Sequence, residues 1–207
     1  FHSEMHPMDN RNTRDGFLLA ALQVGDKAEF ARVVETYYEM IYRLAIRMLS
    51  NPQDAEDVLQ ETFIKAYRNF KNFDGRSSVS TWLYRIATNE ALMFLRRHHH
   101  DTTSIDDTHE NDEGLEKPTY IVDWCCLPEE ELMSAEAQAH LDEAVESLPP
   151  NLRVVFILRD IHGLSTKETA EVLNLTEMAV KTRLSRARFK LRELLSKYFG
   201  EKVGEES

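Results

Sequence analysis

The chain has 207 residues, of which 42% are hydrophobic and 29% are charged, and its formal net charge is −11. This composition excludes a fully disordered chain, and the length suits one large domain or two small ones. The longest apolar runs are too short to cross a bilayer, and no stretch resembles a secretory signal. We therefore expect a cytoplasmic protein that makes no direct membrane insertion.

The acidity is concentrated in the middle of the chain. Residues 98–149 hold 15 acidic residues against a single base, Lys117, whereas the segments on either side are near neutral or basic. The overall negative charge therefore does not argue against nucleic-acid binding by those flanking segments. The two cysteines, Cys125 and Cys126, are adjacent, so a disulfide between them would be strained and a reducing compartment is favoured.

Apolar residues recur every three or four positions in the first half of the chain, which predicts helices. Asp26 is predicted to cap a helix that runs to about Leu49. Asn51 followed by proline is typical of the start of a second helix, which we expect to reach about Phe70. A loop then separates it from a third helix that ends near Arg97.

The helical pattern stops at His98 and resumes at Ser134, and the stretch between them is acidic and contains two prolines. We therefore predict an all-α protein in which two small helical domains are joined by an acidic linker. The predicted divisions are an N-terminal tail (1–16), a first domain (17–98), the linker (99–133), a second domain (134–200) and a C-terminal tail (201–207).

The second domain carries a helix-turn-helix pattern. Ser165 and Glu168 have the spacing of a capping box and open a short helix that ends at Leu173. A tight turn follows, and Thr176 is predicted to cap the next helix. This geometry places the second helix in a DNA major groove.

The second helix of this pair has one apolar stripe and basic flanks. The residues predicted to be buried are Val180, Leu184, Ala187, Leu191 and Leu194. Residues 181–193 contain six basic residues and one acidic residue, a balance that favours the neutralisation of DNA phosphates. The N-terminal half, with Lys181, Thr182, Ser185 and Arg186, would supply the residues that read base edges.

In the first domain, aromatic and basic residues are interleaved between residues 71 and 97. Aromatics among cations are typical of surfaces that bind single-stranded or unstacked nucleic acid. The alternative is that these rings pack in the core, which we expect for most of them, including Trp82 and Tyr67.

Three blocks of sequence resemble one known family. They are DAEDVLQETFIKAY (54–67), STWLYRIATNEAL (80–92) and LPPNLRVVFILRDIHGLSTKETAEVLNLTEMAVKTRLSRARFKL (148–191). In this order, and separated by a connector, they resemble the extracytoplasmic-function sigma factors, bacterial proteins of the sigma-70 family that direct RNA polymerase to promoters. The resemblance implies a helical bundle of sigma region 2 followed by a helix-turn-helix domain of sigma region 4.

The resemblance also implies binding roles for individual residues. The residues that match the contact with the clamp helices of the largest subunit of core RNA polymerase are Asp54, Asp57, Gln60 and Glu61. Those that match the capture of a base of the −10 promoter element, and the melting of the duplex, are Lys71, Asn72, Phe73, Arg76, Ser77, Ser78, Arg85, Asn89, Arg96 and Arg97. Those that match the helix recognising the −35 element in duplex DNA are Lys181, Thr182, Arg183, Ser185, Arg186 and Arg188.

The resemblance implies a role for the connector and one further partner. The connector resembles the segment that enters the polymerase active cleft, and we hypothesise that its acidic residues mimic nucleic acid until RNA displaces it. An anti-sigma protein is expected to clamp both domains and hide the polymerase-binding surface.

Other function classes were weighed against this interpretation. The histidines and cysteines of the connector (His98, His99, His100, His109, Cys125, Cys126) could bind a metal or sense redox state, but their spacing is poor for a tetrahedral site. We therefore predict neither a metal nor a cofactor. The sequence has no phosphate-binding loop or nucleophile motif, so we expect no enzyme activity. A stand-alone helix-turn-helix regulator that binds duplex DNA without polymerase is the main alternative.

Overall fold

The computed structural model describes residues 15–102 and 135–205, and within these ranges the chain forms helices and no β-strand. The predicted all-α fold is therefore confirmed. The helices of the first range are α1 (Leu19–Gln23), α2 (Lys27–Leu49), α3 (Pro52–Asn69) and α4 (Val79–Thr102). Those of the second range are α5 (Ala135–Glu146), α6 (Pro150–Phe156), α7 (Thr166–Leu173) and α8 (Glu177–Glu205).

Local capping interactions set the starts of the long N-terminal helices. The Asp26 side chain accepts a hydrogen bond from the Glu29 backbone N–H at the start of α2. Ser50 adopts a left-handed conformation (φ 58°) that ends α2, and Asn51 then caps α3 ahead of a proline in its first turn. The predicted starts of both helices are thus confirmed, because each depends on atoms only a few residues apart.

Helix α4 is longer than the sequence pattern indicated. It runs to Thr102 instead of ending near Arg97. The prediction was wrong because a loss of apolar periodicity, such as that at His98, does not by itself end a helix. No glycine or proline interrupts residues 98–102, and the ring of His98 packs on that of Phe94 one turn earlier (centroids 4.3 Å apart).

The first domain packs α2, α3 and α4 around a common core. Its fully buried side chains include Ile41, Leu44 and Met48 of α2 and Leu83 of α4. Asp15, which lies in the segment predicted as a tail, joins this unit: its carboxylate accepts hydrogen bonds from the Ser80 N–H and the Tyr37 hydroxyl. Burial, with a smaller contribution from Asp15, raises the pKa of Tyr37.

The second domain contains the predicted helix-turn-helix. Ser165 and Glu168 form a reciprocal capping box at the start of α7, and Asn174 takes a left-handed conformation (φ 53°) at the turn. The Thr176 hydroxyl accepts a hydrogen bond from the Ala179 N–H at the start of α8. These features match the pattern in the sequence.

The buried stripe of α8 was also predicted correctly, apart from its last member. Val180, Leu184, Ala187 and Leu191 are buried, as expected. Leu194 is exposed, and Leu195 is buried in its place. At about 100° per residue both positions lie about 50° from the mean direction of the other four, so the helical period does not choose between them and the packing of the helix decides.

The two domains pack against each other, a feature that the sequence did not predict. Arg153, just before a π-helical turn at Ile157–Ile161, donates a 2.7 Å hydrogen bond to the Met48 carbonyl at the end of α2. Arg47 of α2 forms a 3.0 Å ion pair with Asp142 of α5. The two domains therefore share a continuous core in this arrangement.

Candidate functional site

The basic face of α8 is exposed at the positions predicted to read bases. Lys181 and Ser185 are exposed, and Thr182, Arg183 and Arg186 are partly buried along its edges. Thr182 and Ser185 lie opposite the stripe that anchors α8 to the domain core, and the basic residues lie on its flanks. The arrangement presents cationic and hydroxyl side chains together, as a helix that enters a major groove requires.

The guanidinium of Arg188, on the same helix, is already bound within the protein. It forms two hydrogen bonds, of 2.8 and 2.7 Å, with the Asp160 carboxylate in the π-helical turn. The bond to Asp160 also raises the pKa of Arg188. A phosphate contact by Arg188 would therefore have to share or replace this ion pair.

The α8 surface also includes two residues that the sequence analysis did not assign to a site. Met178 and Phe189 are 71% and 55% exposed. They share a face with Thr182 and Ser185, because the four positions follow the 3.6-residue helical period. That spacing was visible in the sequence and could have revealed both residues.

The loop between α3 and α4 exposes several of the residues predicted to bind the −10 element. Lys71 and Asn72 are exposed, and Ser77 is partly buried. The highly exposed Arg76 side chain lies 2.5 Å from the Asp74 carboxylate. Ser78 has a structural role as well, because its hydroxyl accepts a hydrogen bond from the Thr81 N–H and so caps α4.

Phe73 is placed differently from its predicted role as a base contact. Its ring is only 4% exposed and packs between Phe70 and Trp82, with centroids 5.8 and 5.1 Å away. In this conformation Phe73 supports the loop from inside and offers no free ring face to a base. The sequence did not indicate this placement, because an aromatic residue beside basic residues does not reveal which way its ring points.

Helix α4 carries the other predicted −10 residues. Asn89, Arg96 and Arg97 are exposed along it. Arg85 is exposed too, but it donates a 3.0 Å hydrogen bond to the backbone carbonyl of Glu171 in α7 of the second domain. In the packed arrangement one predicted −10 contact is thus engaged by the helix-turn-helix domain.

The four predicted polymerase-binding residues lie along α3. Asp57 and Gln60 are exposed, and Asp54 and Glu61 are partly buried. Glu61 lies 3.5 Å from the Lys65 ammonium group, which is itself 2.6 Å from Glu90 of α4. The face is therefore acidic at its N-terminal end and neutralised near Lys65.

An apolar groove of about 480 Å³ continues this face of α3. Ile64, one turn beyond Gln60, and Tyr67, one turn further, are 42% and 39% exposed. Phe30 of α2 closes the groove from the other side, with its ring 4.9 Å from that of Tyr67. The sequence predicted Tyr67 only as a packing residue. It did not predict this groove, because the groove forms between two helices.

The metal alternative has no support in residues 15–102 and 135–205, where no group of three metal-ligating side chains occurs. His109, Cys125 and Cys126, and the side chains of His99 and His100, lie outside the described residues. None of the helices in the part of the chain that the structure describes is long and apolar enough to cross a membrane.

Comparison with known proteins identifies the family. The chain matches the sequence model of Sigma-70 region 2 over residues 33–100 and that of Sigma-70, region 4 over residues 139–191. The ECF RNA polymerase sigma factor SigW of Bacillus subtilis (strain 168) is 40% identical over 171 residues, which are 83% of the chain and 91% of SigW. The chain belongs to the extracytoplasmic-function (ECF) sigma factors.

Other relatives agree with this assignment. The ECF RNA polymerase sigma-E factor of Haemophilus influenzae is 35% identical to this sigma factor over 174 residues, which are 84% of the chain and 91% of that relative. The matches cover both domains, whereas a stand-alone regulator would share only the helix-turn-helix. The chain is therefore a transcription initiation factor, and the main alternative is not favoured.

Two solved structures show the same fold. CnrH in complex with the cytosolic domain of CnrY has a TM-score of 0.61 and 24% identity, and the match covers 86% of this sigma factor and 95% of CnrH. The sigma factor RpoE in complex with the anti-sigma factor NepR from Bartonella quintana has a TM-score of 0.59 and 23% identity. This match covers 81% of this sigma factor and 97% of RpoE.

The contact between the two domains of this sigma factor includes a partly buried histidine, His162. The Tyr84 hydroxyl of α4 lies 2.9 Å from Nδ1 of His162, and the two rings meet edge to face. Burial lowers the pKa of His162 to about 4, with smaller contributions from Arg47 and Arg43 of α2. Burial also raises the pKa of Tyr84 to about 12. The packed domains thus hold both groups in their neutral forms.

The folded sigma factor is expected to lose stability as the pH falls between about 6.5 and 4. In this window the unfolded chain protonates His162 while the packed chain does not, so the stabilisation is complete above pH 6.5 and decreases below it. Because the ring is partly exposed, we expect a loss of about 1–2 kcal/mol from this group. Urea unfolding at pH 7.5 and pH 5 measures it. His162→Gln should show a smaller decrease, and an equal decrease in both proteins would exclude His162 as the cause.

Proposed function

We propose that this sigma factor binds core RNA polymerase through α3, recognises the −35 element through α8, and captures a −10 base with the α3–α4 loop and α4. The observation that carries the proposal is the exposed basic face of α8, which is anchored by a continuous buried stripe. Such a helix fits the major groove of a duplex, and its lysine and arginine side chains can neutralise DNA phosphates. The protein would act in the cytoplasm, where the polymerase transcribes.

The polymerase contact is proposed for the acidic end of α3. Asp54, Asp57, Gln60 and Glu61 would face the clamp helices of the largest subunit. An acidic helix face attracts a basic partner and speeds the encounter, and the effect weakens as salt rises. The neighbouring groove at Ile64 and Tyr67 adds apolar area that a polymerase surface could cover.

Promoter melting is proposed for the loop and for the exposed part of α4. The backbone of the separated strand would be held by four exposed basic residues, Lys71, Arg76, Arg96 and Arg97. The side-chain amide of Asn89 can form hydrogen bonds with the edge of a nucleobase. Ser77 and Ser78 complete the loop. Phe73 is left out of this set because its ring is buried.

The hydrogen bond of Arg85 to the second domain also affects promoter binding. This bond to Glu171 must break before Arg85 can contact the −10 strand. The two domains are therefore proposed to separate when promoter DNA binds. An anti-sigma protein is proposed as the inhibitory partner, covering the groove and the acidic face of α3 so that polymerase cannot bind.

Transcription from a randomised promoter library tests the function directly. The sigma factor is incubated with the library in the presence and in the absence of core RNA polymerase, and transcript start sites are sequenced. We expect specific starts only with core, and an enriched −35 and −10 motif. Tight palindromic duplex binding without core, and no effect on transcript starts, would instead favour a stand-alone regulator.

Lys181 and Lys190 provide a matched test of the roles along α8. Lys181→Ala should lower the affinity of the holoenzyme for its −35 element by about 1–3 kcal/mol and relax the sequence preference there. Lys190→Ala, nine residues further along the helix, should weaken binding to all sequences equally and reduce its salt dependence. Electrophoretic mobility assays at several salt concentrations measure both effects. Equal loss of sequence preference in the two variants would contradict the assignment.

The proposed nucleic-acid mimicry by the linker has its own test. Replacing its acidic residues by Asn and Ser should impair initial transcription without changing promoter choice. Abortive and full-length transcripts are measured from one promoter, with open-complex formation as the control. Unchanged initial transcription would remove the mimicry role.

A further inference from the structure

Met178 is an exposed apolar residue at the N-terminal end of α8. In the proposed function this end of the helix enters the DNA major groove. Met178 is the second residue of α8 and, at 71%, the most exposed large hydrophobic side chain in the described part of that helix. A methionine in this position gains nothing from the protein core. Its surroundings on the helix indicate what it can contact.

The face of Met178 is the face that carries the hydroxyl residues of α8. Residues 178, 182, 185 and 189 all lie within an arc of about 60° when each residue turns the helix by about 100°. This arc is opposite the buried stripe of Val180 and Leu184. Met178 and Phe189 therefore stand at the two ends of a line through Thr182 and Ser185.

Only one end of this line lies near the base edges in the proposed function. The N-terminal residues of a recognition helix contact base edges in the major groove. Phe189 lies about 16 Å further along the helix than Met178, at 1.5 Å per residue. Met178 is therefore the apolar side chain of this face that is placed to contact a base.

The hydrogen bond donated by Thr182 limits the base groups that its hydroxyl can contact, so a nearby thymine would be contacted through its methyl group by Met178. The Thr182 hydroxyl donates its proton to the Met178 carbonyl at 3.0 Å, so in this geometry it can only accept a bond from a base amino group. Thymine presents no amino group in the major groove, but it carries a 5-methyl group there. The flexible, polarisable thioether of methionine is well suited to pack on such a group.

We propose that Met178 is a specificity-determining residue that reads the 5-methyl group of a thymine in the −35 element. The inference rests on the proposed function of α8, and it adds to that function the chemical group recognised. Because Met178 is exposed, its replacement leaves the core of the domain intact.

Single thymine-to-deoxyuridine substitutions test the proposal, since each removes one methyl group and nothing else. Every thymine of the −35 element of an active promoter is replaced in turn, on both strands, and binding of the holoenzyme is measured. We expect one position at which deoxyuridine weakens the wild-type complex about fourfold, the equivalent of one buried methyl group. Met178→Ala should bind the two templates equally, and Phe189→Ala should keep the fourfold difference.

The proposal is overturned if the wild-type holoenzyme is insensitive to deoxyuridine at every position, or if Met178→Ala keeps the same discrimination. Either result would leave core-dependent transcription from the same promoter intact, so the proposed function would survive. A failure of the proposed function would instead appear as the absence of core-dependent starts with the wild-type protein on the unmodified template.

Discussion

Replacing Asp57 by Arg is expected to lower the affinity of the sigma factor for core RNA polymerase at least about a hundredfold, because placing like charges together in an interface costs several kcal/mol. Asp57 is an exposed member of the acidic face of α3, and among residues 15–102 and 135–205 its carboxylate forms no ion pair. The reversal therefore acts on the partner more than on the fold. Fluorescence anisotropy with labelled sigma factor and purified core measures the dissociation constant.

Glu35→Arg is the matched control for this prediction. Glu35 is also an exposed acidic residue, and its replacement changes the net charge by the same amount, but it lies on α2 outside the proposed face. We expect its affinity for core to stay close to wild type. If both variants lose affinity equally, the effect is one of overall charge, and if neither does, the clamp contact is not at this end of α3.

Replacing Arg153 by Met is expected to destabilise the folded chain by about 2–4 kcal/mol, because buried carbonyl groups lose a charged hydrogen-bond donor. Arg153 is 9% exposed, and its guanidinium donates to the carbonyls of Met48 (2.7 Å), Leu148 (3.2 Å) and Glu146. Burial lowers the pKa of Arg153, and Glu146 partly opposes that change. One side chain thus satisfies the ends of helices from both domains.

Methionine keeps most of the apolar stem of Arg153, so the variant isolates the loss of the guanidinium. Arg43→Met serves as the control, because the ion pair of Arg43 with Glu39 is exposed, and it should change stability by less than about 0.5 kcal/mol. Urea midpoints followed by circular dichroism compare the two variants with wild type. Equal midpoints for Arg153→Met and wild type would show that the three carbonyls find other partners.

Several parts of the candidate site could be predicted from sequence because they depend on local chemistry. The caps at Asp26, Asn51 and Ser165 involve atoms two or three residues apart, so the residue types alone specify them. The exposed face of α8 follows from the helical period and the positions of its apolar residues. The spacing of Met178 from Thr182 and Ser185 belongs to the same class and was overlooked.

Other parts depend on contacts between residues far apart in the chain, and the sequence does not encode them in any local pattern. The basic character of Arg188 was evident, but its ion pair with Asp160, 28 residues earlier, was not. The position of Arg153 as a lone arginine within the apolar run from Leu152 to Leu158 is typical of a buried side chain. Its carbonyl partners could not be named from that run.

The sequence by itself determined the all-α fold, the two domains, the sigma-factor family and the helix-turn-helix, because helical periodicity, capping and family motifs are encoded in neighbouring residues. Only the tertiary structure decided that Phe73 faces inward, that α2 and α3 enclose an apolar groove, and that Tyr84 meets His162 across the domain contact. These outcomes depend on how helices pack, and packing is set by the shapes of whole surfaces that no single segment specifies.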